Sequence, residues 1–400
     1  MQSKEFRDGG YYVMRDGWDS KSNYLLFDCG PHGTDNCGHA HADALAIELA
    51  AHGRSVLVDP GTHTYTGSPE LRNAFRRSSA HNALLVDGEP SSLPAGPFSW
   101  KTIANCTPLS WLSERRFDYV AGTHDGYERL AEPTTHTRSI LFLKNDYWLI
   151  RDRVSSPGSH KLALRFHFTP GSNIQFSNAS SAIPGGAEVP DRAAQLLDLS
   201  GEKAGLQVAA FCPERGQRGR WSREESSISQ CYGSSEAAPV WTFSADLLGN
   251  GGTTQELITL LLPNSGETST KFQVREVEAI GGRAFEITSS DHYDLILLRD
   301  SRSQRVETVR LISDFNLSWA RFRHNRSEVP EELLELVVID GQSVGLYGKE
   351  ILRSAKRIQY LAASRVGERF RVETSAGLMD LSFPIGDMEV SKSESVVKSQ

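Results

Sequence analysis

The sequence predicts an all-β protein, a large antiparallel β-sandwich with few short helices. Three observations predict it. Apolar runs are short, and most end in Gly, Asp or Pro, which punctuate strands more than helices. Those runs are rich in Val, Ile, Leu, Phe and Tyr, which suit a pleated, half-buried surface. Long amphipathic helices are scarce, so sheet-on-sheet packing is left to build the core.

In chain order, YYVMRD (11–16), NYLLFDCG (23–30), ALAIELAAHG (44–53), SVLVDPG (55–61) and NALLVDG (82–88) read as strands. So do SILFLKNDYWLIRDRV (139–154), KLALRFHFTPG (161–171), LQVAAFC (206–212), QELITLLLP (255–263), YDLILLRD (293–300), ELVVIDGQ (335–342) and RFRVETS (369–375). Two helices are expected, over 68–78 (SPELRNAFRRS) and over 330–336 (PEELLEL). The Ser/Gly/Pro/Ala-rich stretches 170–190 and 213–239 read as long loops. Residues 1–270 are expected to form the sandwich core with the functional site, 271–389 to continue the same sandwich, and 390–400 to be a flexible tail.

The chain has 400 residues, 38% hydrophobic content and a net charge of −7, enough for a sizeable core. Lys and Arg are scattered without a basic block, which argues against nucleic acid. An acidic polymer remains open, because a local basic cleft can sit on an acidic protein. No run is long and apolar enough to span a membrane, and the N-terminus carries no export-type apolar region. The chain opens almost at once on a strand, as when an upstream portion is missing. Five cysteines match neither a zinc knuckle nor a disulfide scaffold and are expected to be mostly free; a Cys29–Cys37 bridge is the weaker alternative.

The chemistry concentrates in GHAHAD (38–43). Composition over 41–53 suits a helix, but the alternation suits a strand. On a strand, His39, His41 and Asp43 share a face with Leu45, Ile47 and Leu49; on a helix, His39 and His41 diverge by about 200°. The next segment favours the strand. AHGR makes a hairpin turn, and SVLVDPG returns Asp59 toward His41. His81 precedes a further strand. His41, Asp59 and His81 then supply two imidazoles and a carboxylate, a zinc set with one position open. His39 faces the same cavity with a free imidazole. Singly, each of these residues has an ordinary turn or strand-end explanation.

The ordered set H-x-H-x-D, V-D-P-G, Y-x-G, R-N-x-x-R-x-S-x-A-H-N and V-D-G, running from GHAHADALAIELAAHGRSVLVDPGTHTYTG into LRNAFRRSSAHNALLVDGEPSS, resembles the heparinase II/III-like polysaccharide lyases. HDGYERL (124–130) and HTRSILFL (136–143) extend the likeness. The resemblance implies a C-terminal antiparallel sandwich that works against an N-terminal α/α toroid, and the toroid has no counterpart in this chain. It implies zinc on His41, Asp59 and His81, and His39 on the catalytic side. It implies β-elimination on a uronate-containing polysaccharide. It also implies a periplasmic or secreted setting, which the chain itself does not signal.

Tyr65 is the further catalytic candidate, with packing as its ordinary explanation. Arg72, Asn73, Arg76 and Arg77 share a face of the expected helix and are substrate-binding candidates, because arginine suits carboxylate and sulfate; a solvated basic face explains them equally. His124 and Tyr127 are rim candidates. Asp43 is expected only to support the site by hydrogen bonding, Asn82 to orient loop backbone, and Asp152 to be structural. Two competing readings remain. One is a non-catalytic module that binds acidic polysaccharide. The other is a zinc hydrolase using Asp43 or Glu48 as base.

Overall fold

The computed structural model describes residues 3–178, 195–200, 205–213, 217, 219–249, 254–264, 272–323, 332–376, 381–382 and 388–390. They fall into two compact units, one drawn from 1–178 and 195–269, the other from 270–400. The protein is all-β and its sheets are antiparallel almost throughout.

The first unit begins with a five-stranded meander: β1 (Lys4–Phe6), β2 (Tyr11–Arg15), β3 (Tyr24–Asp28), β4 (Ile47–Ala51) and β5 (Arg54–Leu57). Helix α1 (Pro69–Arg76) leads to β6 (Leu84–Val86), and a ribbon of β7 (Leu93–Gly96) and β8 (Ser99–Thr102) follows. An eight-stranded sheet contains β9 (Cys106–Ser113), β10 (Phe117–His124), β11 (Thr135–Leu143), β12 (Trp148–Ser155), β14 (Asn173–Asn178), β15 (Gln195–Ser200), β16 (Gly205–Phe211) and β19 (Thr254–Asn264). A four-stranded sheet joins β6 to β13 (His160–His167), β18 (Ser234–Leu247) and β17 (Arg220–Cys231).

Strand alternation makes the core. Leu162, Leu164 and Phe166 of β13, Ile140 and Phe142 of β11, and Leu25 and Phe27 of β3 belong to one buried cluster. Period-two side chains from three sheets therefore meet in a single sandwich interior. In the second unit, among the described residues, one eleven-stranded sheet runs from Gln273–Val277 to Met388–Val390 around Leu295, Leu297, Phe322, Leu336, Val338 and Leu361.

Four local expectations are corrected. The strand of GHAHAD is a loop, with regular pairing starting only at Ile47; Leu45, at φ 60°, breaks the extended chain. The helix over 330–336 is absent where described, because Leu333–Leu346 is a strand with apolar Val337, Val338 and Ile339 buried. The loop over 213–239 is largely the β17–β18 hairpin. Of the loop over 170–190, residues 173–178 are strand, and 179–190 lie outside the described residues, as do 391–400 of the tail. Among the described residues the helix over 68–78 forms as Pro69–Arg76, with Ser68 Oγ accepting from Leu71 N at the N-cap and Pro at the first position, both favourable starts. All five cysteines are free, so no Cys29–Cys37 bridge forms.

Candidate metal centre

Three loops meet here, and each is fastened by its own backbone. The 38–46 loop is tied at Ala42, whose N–H donates to Arg76 O at 2.7 Å. Leu45 N donates to Asp28 O at 2.9 Å. The 59–61 turn closes when Gly61 N donates to Asp59 Oδ1 at 2.9 Å. Gly61 sits at φ 71°, which glycine tolerates at little cost. The 78–83 segment is a 3₁₀ turn, Ser78–Ala80, held by Asn82. The Asn82 amide donates to Ile47 O at 2.9 Å and Val58 O at 3.1 Å and accepts from His167 N at 2.6 Å.

These loops bring His41, Asp59 and His81 together. One donor atom from each lies within 4.8 Å of the other two, the one such group among the described residues. His81 is buried, and its Nδ1–H donates to Asp59 Oδ2 at 2.7 Å. Its Nε2 is buried with no hydrogen-bond partner, a costly state for a ring nitrogen unless something binds it. His41 Nε2 accepts from Arg72 Nη1 at 3.1 Å. A cation held through that nitrogen would take the place of the arginine N–H.

Burial raises the Asp59 carboxyl, but the charge and hydrogen bond of His81 and the Gly61 amide hold it below the ordinary range. Burial lowers His81, and Asp59 more than offsets that, leaving it raised. Burial, then His81, push His41 down to about 3. Asp28 is pushed up to about 8 by burial and then by Asp43, and burial also raises Asp43 and Glu48. Two imidazoles thus sit among four carboxyls, a setting in which a divalent cation relieves mutual repulsion. Two imidazoles and a carboxylate also match a catalytic-type zinc donor set.

His39 does not share a strand face with His41; it is solvent-exposed on the loop. Its ring meets Tyr65 edge-on, centroids 5.1 Å apart. The Arg72 guanidinium lies 5.0 Å from the centroid of the Tyr65 ring, within cation–π range.

The substrate-facing arginines land elsewhere. Arg72 and Arg76 are 0% exposed. Arg72 donates to Gly38 O at 3.1 Å and Pro97 O at 3.4 Å. Arg76 donates to the carbonyls of Gly96, Pro97 and Ser99 and stacks on Trp100 at 3.9 Å. They clamp the loops to the 93–102 ribbon instead of offering charge to solvent. Arg77 is exposed at the helix C-cap, and Asn73 is half-buried with Oδ1 unpartnered. His124 and Tyr127 are not on a rim. They are 3% and 1% exposed, His124 Nε2 meets His136 Nδ1 at 3.2 Å, and the Tyr127 hydroxyl donates to Leu84 O at 2.8 Å.

Three contributors were not read from sequence. Arg138, bonded to Asp152 Oδ1 at 2.7 Å, donates to Leu45 O and Asn82 O at 2.8 and 3.2 Å. It thereby joins two of the three loops through a buried charge. His167 Nε2–H donates to Ser79 O at 3.1 Å. Tyr232, at the β17–β18 tip, lies parallel to Tyr65 at 5.9 Å. The Tyr-Gly pair of C-Y-G-S was the available turn signal for that tip.

A family model described as Heparinase II/III-like, C-terminal, matches residues 1–245. The heparin-sulfate lyase of Pedobacter heparinus is 22% identical over 277 residues, 68% of this chain and 37% of the relative. The heparin-sulfate lyase of Bacteroides stercoris is 25% identical over 169 residues, 42% of this chain and 22% of the relative. Among solved structures, heparan sulfate lyase from Pedobacter heparinus aligns with a TM-score of 0.60 at 21% identity, covering 75% of this chain and 42% of that one. A Heparinase III crystal structure aligns with a TM-score of 0.55 at 18% identity, covering 72% and 41%. The chain therefore spans well under half the length of these relatives.

Proposed function

The chain belongs to the heparinase II/III-like C-terminal family, and from that premise we propose that it is the zinc-binding sandwich portion of a polysaccharide lyase that cleaves uronate polymers by β-elimination. One observation carries the reading. His41, Asp59 and His81 converge within 4.8 Å, with a buried, unpartnered His81 Nε2, beside the exposed His39 and the half-buried Tyr65 that it meets edge-on.

The chemistry asks for three things. The uronate carboxylate must be neutralised, the C5 proton taken, and the departing O4 protonated. C5–H and C4–O4 break, C4=C5 forms, and O4 leaves with a proton. On this chain, His39 is the group placed to neutralise the carboxylate or exchange a proton, and Tyr65 is the neighbouring hydroxyl. Zinc bound by His41, Asp59 and His81 supplies positive charge that fixes the loop carrying His39. His41 is two residues from His39, so a metal held there would steady the loop that carries the His39 ring. The remaining acid/base groups come, in this reading, from a helical toroid domain acting with the sandwich.

Two measurements test it. Metal analysis of purified protein should find about one zinc per chain, and His41→Ala or His81→Ala should lower it at least tenfold. Uronate polymers, heparan-type and alginate-type, should yield an ultraviolet-absorbing unsaturated end when this chain is joined to a helical domain, and little without one. Wild-type protein without zinc sinks the metal assignment. Binding without turnover in the joined form establishes the binding-module reading instead.

A further inference from the structure

The β17–β18 hairpin carries more than sheet. Its tip is bound to the loop that follows Asp59. Ser229 N donates to Pro60 O at 2.8 Å, and Gly233 N donates to His63 O at 2.7 Å. Gly61 and Ser229 form a parallel bridge. Ser229 Oγ, inside the tip, donates toward Cys231 O at 2.9 Å and Ser234 O at 2.7 Å. The tip is therefore tied down at its base, yet Tyr232 is 64% exposed at its end. A large ring held out to solvent by a fastened turn becomes informative when it belongs to a larger exposed apolar patch.

Tyr232 does not stand alone. Its ring lies 26° from the plane of Tyr65 with centroids 5.9 Å apart, and Tyr65 lies 17° from Phe98 at 6.2 Å. Phe98 is 37% exposed. The Tyr65 amide donates to the Tyr232 hydroxyl at 3.4 Å. Tyr65 is thus the centre of an aromatic group: His39 meets its edge, and the near-parallel Phe98 and Tyr232 lie against it, each drawn from a different segment.

We propose that the hairpin tip completes a saccharide subsite, in which Tyr232 gives a ring face to a pyranose unit next to the bond being broken. The proposal rests on the uronate-polysaccharide reading. Aromatic faces carry negative quadrupole charge and attract the C–H face of a sugar ring. Tyrosine offers that area with little side-chain entropy to lose. Continuity with Tyr65 and His39 selects the occupant, since a chain lying across the reactive pair continues onto Tyr232.

The test titrates the full 400-residue chain with size-defined heparan-type and uronate oligosaccharides, from disaccharide to hexasaccharide, by calorimetry. Tyr232→Ala should weaken hexasaccharide binding roughly 3- to 10-fold and leave disaccharide binding unchanged. Tyr232→Phe should stay within about twofold of wild type, because stacking needs the ring and not the hydroxyl. Zinc content is measured alongside. An unchanged hexasaccharide affinity in Tyr232→Ala overturns the subsite. So does equal loss for short and long ligands with falling zinc content, which assigns the tip a purely structural role. So does Tyr232→Phe behaving like Tyr232→Ala. Wild-type protein that binds no acidic oligosaccharide, either alone or joined to a helical domain, removes the underlying functional reading, and the subsite with it.

Discussion

Asn82 does its work from a position 3% exposed to solvent. Its three hydrogen bonds join β4, the end of β5 and β13 directly behind His81. Asn82→Ala leaves Ile47 O, Val58 O and His167 N without that partner, and the bonds to Ile47 and His167 are too buried for water to substitute freely. A buried group orphaned this way costs about 1–3 kcal/mol, and relaxation recovers part, so we expect about 2–4 kcal/mol lost in denaturant titration. The sequence made His41, Asp59 and His81 legible because each adjoins a turn or a strand whose position the apolar pattern sets. It left the buried roles of Arg72 and Arg76 illegible. A helical wheel places them on one face, but only the 93–102 ribbon, folded over them, turns that face inward. His124 and Tyr127 were misplaced for the same reason: a polar residue at a strand end reads as rim until its neighbours are known.

At the level of elements, the long hairpin is what the sequence hid. WSREESSISQ, within β17, has no apolar alternation, because much of that strand is exposed on both faces. Its pairing is supplied by β18, whose VWTF segment is buried. GHAHAD failed in the opposite direction. It alternates as a strand should, yet Leu45 at positive φ and the bond from Leu45 N to Asp28 O bend it into a loop. On that loop His39 is exposed and His41 half-buried. The hairpin and the Asp59 loop meet at Gly61, where a Cβ would lie 2.3 Å from Ser229 O. Gly61→Ala therefore meets both a left-handed φ and a backbone clash. The expected outcome is about 1–3 kcal/mol of lost stability together with weaker zinc retention on dialysis against chelator. Gly88→Ala is the control: its φ is 74° but nothing lies near the added carbon. A loss as large in Gly88→Ala would show that strain alone, not the hairpin contact, explains the effect.

For the whole molecule, net charge is −7, and four of its carboxyls, Asp28, Asp43, Glu48 and Asp59, gather around the two imidazoles. Their placement gives the metal-free protein a pH profile with two arms. His167, 1% exposed, is held down to about 3, by burial first and the Arg165 charge second. Its folded value lies below the unfolded value near 6.5, so the unfolded chain takes up the proton first and stability falls as pH drops from 6.5 toward 3. Asp28, pushed up to about 8 by burial and Asp43, has the opposite sign. Its folded form keeps a proton that the unfolded carboxyl, near 3.9, has already lost, so stability falls as pH rises from about 4 to 8. Between 4 and 6.5 the Asp28 arm offsets the His167 one, while His41, also pushed down to about 3, keeps stability rising with pH. Above 6.5 His167 is neutral in both states, and the Asp28 arm stands uncompensated. We therefore expect metal-free protein to lose stability from pH 6.5 to 8, by up to about 1.4 kcal/mol per unit, read from denaturation midpoints. Asp28→Asn should lessen this alkaline arm, which the raised His81 shares, and His167→Gln should lessen only the acidic one, which His41 shares. Saturating zinc should flatten the alkaline arm too, because a bound cation favours the ionised carboxylates around it. An alkaline arm that survives both Asp28→Asn and zinc would place its origin away from this centre.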